Sequence, residues 1–397
     1  MHQVRKRAAT DSAMKSTLPE RTTLFKKESN GTVYRAPSLI YVKDENTFLA
    51  FTEKRRNENE ANAELLVIRR GIYKTGYVTW EGMQILPETS MKFHHTKNPC
   101  SMYDKSSKVV FLFFNCIPDG VTEEYMQKWG NSSKLCYITS TDCGKTWSSI
   151  TDITDITNSI SNMVSFFVAS GHGIQTQCGK LVIPAYNYIA KFWFVRWWCA
   201  KSHSLYLYSN DRGRRWQLSD SISKHETGEC EVAEIICEDG KKMLYCNAQS
   251  IGGKRVEALS LNVGGEFKFV EKSKLLTDRK GGCSGSIVSF LGEEQPGKER
   301  SDWLLFTHPS KNDRRELGVY INKSPLISKS WSKPWVISEA PSGYSDLADC
   351  HDNDMFAVLF ESGHEIQYEE INFCLFTVQD VLKNIKKKKG LLARFRK

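Results

Sequence analysis

The chain lacks what a membrane-spanning, metal-clipped or disulfide-stapled protein would need. No run approaches the ~18–20 apolar residues of a spanning helix. The nearest, Phe192-Trp193-Phe194-Val195-Arg196-Trp197-Trp198-Cys199, is short and interrupted by Arg196. The basic N-terminus has no apolar core segment of a signal peptide. The 12 cysteines are scattered, with no C-x-x-C pair and no metal-type spacing. Cys136, Cys237, Cys246 and Cys374 lie in strand-like runs and read as small buried hydrophobes. These features predict a reducing compartment, in the cytoplasm or peripherally at the plasma membrane, and no secretion by a signal peptide. Helical periodicity is scarce too. It is convincing only from about Thr377 to Lys388, with Val378, Leu382 and Ile385 on one side and lysines on the other. No interior linker rich in Pro, Gly or Ser divides the chain, so one domain is expected.

What the chain has in quantity is alternation. Ser38–Val42, Thr47–Phe51 and Ala63–Arg70 read as half-buried strands, and Val109–Phe114 is a continuous apolar run suited to a strand buried between neighbours. Further runs follow at Phe166–Val168, Lys180–Pro184, His203–Tyr208, Lys242–Cys246, Trp303–Thr307, Leu317–Ile321 and Met355–Phe360. One turn recurs among them. In Ser140-Thr141-Asp142-Cys143-Gly144-Lys145-Thr146-Trp147, Ser140 and Asp142 can bind backbone amides and Gly144 can take positive φ. Trp147 is expected to pack beneath the turn and tie it to the next strand. A second copy, Ser209 to Trp216, stands about 70 residues further on, with Arg215 in place of the threonine. A worn third copy is Ser260 to Phe267, with Asn262 for Asp and Phe267 for Trp. Self-similar turns at blade-sized spacing predict a β-propeller. The expected architecture is all-β, a six-bladed propeller over 21–380 with one short C-terminal helix. A disordered basic segment (1–20) precedes it and a basic tail (381–397) follows.

The net charge of +9 gathers at those ends, in Arg5-Lys6-Arg7 and in Lys386–Lys389 with Arg394, Arg396 and Lys397. A solvated tail is the commonest meaning of such runs. With the aromatic stretch 192–199 they also suit peripheral association with an anionic membrane. No nucleic-acid partner is expected.

The recurrent turns resemble the Asp boxes of the sialidase family, and further motifs follow in that family's order. Tyr34-Arg35-Ala36-Pro37 resembles its Tyr-Arg-Ile-Pro motif, whose arginine is one of three that clamp the substrate carboxylate. Phe51-Thr52-Glu53-Lys54-Arg55, then Glu60 and Ala63–Gly71, are similar to vertebrate members. The match puts Arg55 on the sugar and Glu60 where the family has its acid/base Asp. Asn98-Pro99-Cys100, Val121-Thr122-Glu123, Gly171-His172-Gly173 and Ile183–Tyr188 match as well. They imply a sugar pocket lined by Asn98, Glu123, Tyr186 and Tyr188. Glu229, in Gly228-Glu229-Cys230-Glu231-Val232-Ala233-Glu234, falls on the base that serves the nucleophile; read alone, these three carboxylates are a solvated edge. Arg314 falls on the third clamp arginine, Tyr344 on the nucleophile and Glu361 on the carboxylate that orients the first arginine. The resemblance covers about Thr23 to Thr377 and is nearest the ganglioside (plasma-membrane) sialidases, with the cytosolic ones next.

What the resemblance implies is chemically coherent. Sialic acid carries a carboxylate on its anomeric carbon, and a planar guanidinium binds it with two parallel charge-assisted hydrogen bonds. A carboxylate nucleophile would be repelled by that group, whereas a neutral tyrosine is not. Free tyrosine has a pKa near ~10 and needs a base, here Glu229; Glu60 would protonate the leaving oxygen. The substrate implied is a sialylated glycolipid or glycoprotein, and no metal or cofactor is required. Two positions depart from the family. Gln249 stands where the second clamp arginine belongs, with Lys254 and Arg255 close enough in sequence to replace its charge. Glu60 replaces Asp and is one methylene longer. These departures leave two further readings open: a sialoglycan-binding propeller with little turnover, and a propeller used only as a protein scaffold.

Overall fold

Alternating apolar and polar residues become strands along almost the whole chain. The computed structural model describes residues 18–130, 133–191, 200–222, 224–237, 239–278, 282–293, 300–311, 313–327, 329–350 and 354–385. The aromatic stretch 192–199 and the basic ends at 1–17 and 386–397 lie outside them.

The described strands form four sheets of four or five strands and one of seven, in a propeller-like arrangement. The first sheet contains Val33–Val42, Thr47–Arg55 and Ala63–Lys74; the second, His94–Asp104, Val109–Pro118 and Lys134–Ser140. The third contains Met163–Val168, Leu181–Ala190 and Ala200–Ser209, and the fourth runs from Thr227–Ile236 to Phe267–Thr277. Most neighbouring strands are antiparallel partners close in sequence; Gly171–His172, which pairs in parallel with His94–Asp104, is an exception. The repeat predicts six blades, while hydrogen bonding gives five sheets. The long strand Trp335–Asp349 is the reason. Its first half pairs with Arg315–Asn322 and its second half with Met355–Ser362, which joins what come before and after into one seven-stranded sheet. The chain closes on itself: Arg21–Lys26 pairs with Glu370–Thr377 at the edge of that sheet.

The run Val109–Pro118 shows how sequence becomes packing. Side chains of a strand alternate faces. Val110, Leu112, Phe114 and Cys116 join a cluster with Leu49, Phe51 and Ile68 of the first sheet. Phe111 and Phe113 face the other way, onto Phe166, Leu205 and Trp216 of the third. Fully burying each such aromatic contributes about 1.5–3 kcal/mol. All cysteines among the described residues are free, and all but Cys178 are buried.

The recurrent turns are the stitches between sheets. Asp142 Oδ1 accepts from the amides of Lys145 (3.1 Å) and Thr146 (2.9 Å), and Ser140 Oγ from that of Gly144 (2.8 Å), whose φ is 77°. In the second copy Asp211 accepts from Arg215 N (2.9 Å) and Ser209 Oγ from Gly213 N (2.8 Å). The third keeps the fold of the turn but not the carboxylate: Gly265 N binds the Asn262 carbonyl at 3.0 Å. Each aromatic reaches back to the preceding sheet. Trp147 meets Phe51 at 5.8 Å, Trp216 meets Phe113 at 4.9 Å, and Phe267 meets Tyr206 at 5.6 Å.

Among the described residues two α-helices are present where the sequence predicts one. Residues 378–385 are helical, and Val378, Val381, Leu382 and Ile385 pack on the seven-stranded sheet. The additional helix is Glu123–Trp129, capped by the Thr122 side chain, which accepts from Tyr125 N. At two turns it is too short for periodicity to reveal. Among the described residues no helix is long and apolar enough to cross a membrane.

Candidate active site

Four strands slip register at one end of the structure, between Arg35 and Ser38, Lys97 and Cys100, Thr227 and Cys230, and Ser342 and Ser345. The local sequence dictates the slips. Pro37 and Pro99 cannot donate to a ladder, and the residues before them, Ala36 and Asn98, sit in the left-handed region at φ 56° and 58°. The other two slips contain Gly228 and Gly343, and a Cβ on Gly343 would lie 2.1 Å from Glu361 Oε2. Such bulges re-aim side chains, and these aim Arg35, Asn98, Glu229 and Tyr344 into one cleft.

The cleft has a volume of about 580 Å³. It gathers eleven of the twelve residues singled out from sequence: Arg35, Arg55, Glu60, Asn98, Glu123, Tyr186, Tyr188, Glu229, Gln249, Arg314 and Tyr344. The twelfth, Glu361, is fully buried behind it. Glu361 accepts from Arg35 Nε (2.7 Å), Ala36 N (2.9 Å) and Tyr344 N (3.0 Å), so one carboxylate fixes an arginine and the tyrosine backbone together. Glu53 does the same opposite, accepting from Arg55 Nε and Asn98 N, each at 2.7 Å. Motif order gives Glu53 no place of its own; the signal in the sequence is a carboxylate two residues before an arginine on one strand face.

Tyr344 lies between two cations, its ring centroid 5.9 Å from the Arg35 guanidinium carbon and 5.6 Å from that of Arg314. Tyr368, absent from the sequence reading, stacks on Arg35 at 3.7 Å. Tyr344 and Glu229 are hydrogen-bonded. Burial pushes the Tyr344 phenol well above its ordinary value, and the Glu229 charge adds to that. Burial likewise pushes the Glu229 carboxyl up to about 7, against the pull of the Tyr344 hydrogen bond. A carboxylate near neutrality against a phenol is a base matched to deprotonating it. Glu229 is not part of a solvated edge: it is buried, and so is Glu231 beyond it.

Across the cleft, Glu123 accepts from Tyr186 OH (3.2 Å) and Tyr188 OH (2.9 Å), and burial raises its carboxyl. Glu60 is held from two sides, by Lys97 Nζ at 2.5 Å and by Glu123 N at 3.0 Å. Burial pushes the Glu60 carboxyl up, but the Lys97 charge and hydrogen bond, the Glu123 amide and Arg55 outweigh it and hold it low. Gln249 lines the cleft and packs against Gly282, where a Cβ would come within 1.7 Å of its Nε2. Neither basic neighbour replaces its charge. Arg255 is fully buried, bound to Asn247, Asp278 and the Cys283 carbonyl, and Lys254 donates to the Lys274 carbonyl.

Two residues below Glu229 and Tyr344 on the same strands lie Glu231 and Asp346. His172 Nδ1 binds Asp346 Oδ1 at 2.7 Å, and the single Ser286 hydroxyl lies between the two carboxylates, its Oγ 2.7 Å from Glu231 and 2.8 Å from Asp346. Ligand-type atoms of His172, Glu231 and Asp346 fall within 4.8 Å of one another. Mutual hydrogen bonding links them in the floor of the site, where burial pushes the Glu231 carboxyl well above its ordinary value. Burial opposes the His172 charge, but Glu231 and Asp346 push its pKa up to about 9.

With the geometry in place, comparison with known proteins is direct. Residues 46–357 match the family described as BNR repeat-like domain. The chain is 38% identical to Sialidase-3 of Mus musculus, over 91% of this chain and 95% of that protein. It is 34% identical to Sialidase-4 of Mus musculus, over 93% and 95%. Among solved structures it resembles the Hadza microbial sialidase Hz136, with a TM-score of 0.73 at 19% identity, covering 91% of this chain and 69% of that one.

Proposed function

The chain belongs to the sialidase family, and from that premise we propose that it is an exo-α-sialidase hydrolysing terminal sialic acid through a tyrosine nucleophile with retention. The observation that carries this reading is Tyr344, hydrogen-bonded to Glu229 and flanked by Arg35 and Arg314. In this reading Arg35, Arg314 and Gln249 hold the sialic acid carboxylate, with Arg55, Asn98, Glu123, Tyr186 and Tyr188 around the sugar. Glu229 takes the Tyr344 proton as the phenol oxygen bonds to the anomeric carbon. Glu60 gives a proton to the departing oxygen, and later removes one from the water that releases the product.

The substrate class is sialylated glycolipid and glycoprotein. The exposed pair Tyr125 and Trp129, on the helix whose first residue lines the cleft, suits a glycan presented at a lipid surface. In the fold we read six blades, since the two halves of the seven-stranded sheet pack face to face. Leu305, Leu317 and Val319 of one half share a cluster with Val358, Phe360 and Phe376 of the other.

A sialoglycan-binding propeller with little turnover is the second reading, favoured by the neutral Gln249 and the engaged Glu60. Hydrolysis of a methylumbelliferyl sialoside decides between them. The enzyme reading expects turnover abolished by Tyr344→Phe. It also expects a gain on the order of 10- to 100-fold in Gln249→Arg, since one charge-assisted hydrogen bond contributes about 1.5–3 kcal/mol. Sialic acid binding with no turnover by either the parent chain or Gln249→Arg would favour the binder.

A further inference from the structure

Lys97 is a cation buried inside a cleft that already has its arginines. Its side chain is 5% exposed, and its ammonium is spent on Glu60, not on solvent or on Gln249. Glu60 is the group that the reading above needs as a proton donor. In the resting structure it is arranged as an acceptor: one oxygen takes Lys97 Nζ and the other takes the Glu123 amide, so both carboxylate oxygens already receive a proton donor. The groups facing it are Lys97 and the imidazole of His95, which burial pushes down to about 4, from the strand His94–Asp104, Arg55 from Thr47–Arg55, and the Glu123 carboxyl from the helix.

We propose that Lys97 is a positioning residue that locks Glu60 in its charged, proton-accepting form and thereby limits protonation of the leaving group. The inference rests on Glu60 being the acid/base of the proposed sialidase. Turnover requires Glu60 protonated while Glu229 is charged. Glu229 sits near 7 and Glu60 is held low, so the productive arrangement is the minority one. Between the two values its population is flat, and it falls off below the Glu60 value and above the Glu229 value. Each pH unit by which Glu60 rises makes it about tenfold more populated. Removing Lys97 therefore speeds the enzyme.

The test compares kcat/KM against pH for the full chain, Lys97→Met and Lys97→Arg. Two substrates are used: sialyllactose, whose sugar oxygen needs a proton to leave, and a methylumbelliferyl sialoside, whose aryl oxide does not. In Lys97→Met the acidic limb moves up by about one unit or more and sialyllactose turnover rises about tenfold per unit, with the aryl substrate little changed. Lys97→Arg keeps the pair and stays near the parent. An unmoved limb overturns the proposal, as does an equal loss on both substrates at every pH. NMR titration of the labelled Glu60 carboxyl, assigned with Glu60→Gln, reads the same pair without turnover. An unshifted Glu60 in Lys97→Met overturns the proposal by itself. A shifted Glu60 in a chain that hydrolyses neither substrate upholds the lock and refutes the sialidase reading instead.

Discussion

Glu361→Gln is the substitution from which the geometry predicts most. The change is nearly isosteric, so its effect is on charge and hydrogen bonding. One Glu361 oxygen holds Arg35 Nε and Ala36 N, and the other holds Tyr344 N at 3.0 Å. A glutamine can keep its carbonyl toward Arg35 and Ala36. Its amide then faces the Tyr344 N–H donor to donor. That leaves a buried amide unsatisfied, at about 1–3 kcal/mol, and turns a charged hydrogen bond to Arg35 into a weaker one, at about 1–2 kcal/mol more. Together this is about 2–5 kcal/mol, overlapping the range for breaking a buried ion pair, and roughly 2–6 °C in Tm for a chain of this length.

The same loss frees Arg35 and Tyr344 from their common anchor. A misplacement of about 1 Å can cost on the order of 100-fold in rate, so kcat/KM for the aryl sialoside should fall by about that factor. Thermal unfolding and steady-state kinetics on the purified variant check both numbers. A Tm within about 2 °C of the parent, with kcat/KM within about threefold, would refute the reasoning. It would mean that Tyr344 and Arg35 are positioned by something other than Glu361.

The floor of the site gives a pH-dependent stability. His172 has a folded value near 9, above its unfolded value near ~6.5, so its contribution is full below ~6.5 and is lost as pH rises toward 9. Urea unfolding should therefore show stability falling by about 3 kcal/mol across that window, a slope that His172→Gln flattens; an unchanged slope in the variant would contradict the triad. At the rim, Trp129 is 73% exposed. The full chain should sediment with anionic vesicles at low salt, and Trp129→Ala should reduce that severalfold; an unaltered fraction would remove this helix from the lipid surface.

The strands and the turns were legible because both are local. Alternation marks a half-buried strand whatever its neighbours, and Ser140, Asp142 and Gly144 form their turn within a few residues. The partner of Trp147 was not legible, because Phe51 lies in another sheet and nothing within the repeat points to it. The cleft residues came from motif order, which places Arg35, Glu229 and Tyr344 together only once the ring closes. Lys97 carried no signal of its own, being one lysine before Asn98-Pro99, and its meaning depends on Glu60 arriving from another strand. Glu231 looked like surface charge for the same reason, and Asp346 carried no signal of its own. Sequence shows a carboxylate but not the histidine that shares its burial.

The bulges that aim the site also endanger it, since a one-residue slip of a strand would exchange its faces and carry Glu229 or Tyr344 out of the cleft. The floor prevents this. Glu231 and Asp346 stand two residues beyond Glu229 and Tyr344, on the same faces of the same strands. Glu231 accepts from Ile287 N at 2.9 Å and Asp346 from Leu39 N at 2.6 Å, each across to another strand. Gly171 permits the closeness of this layer, since a Cβ there would lie 1.8 Å from Glu231 Oε1. Register is thus pinned one layer beneath the reacting groups, by bonds that a slipped strand could not make. The left-handed residues Ala36 and Asn98 cost about 1–3 kcal/mol each, and the buried network offsets that strain while holding nucleophile and base at hydrogen-bonding distance. Rigidity of the chemistry in this fold thus has two sources, the Glu361 anchor behind Arg35 and Tyr344 and the buried triad one layer below.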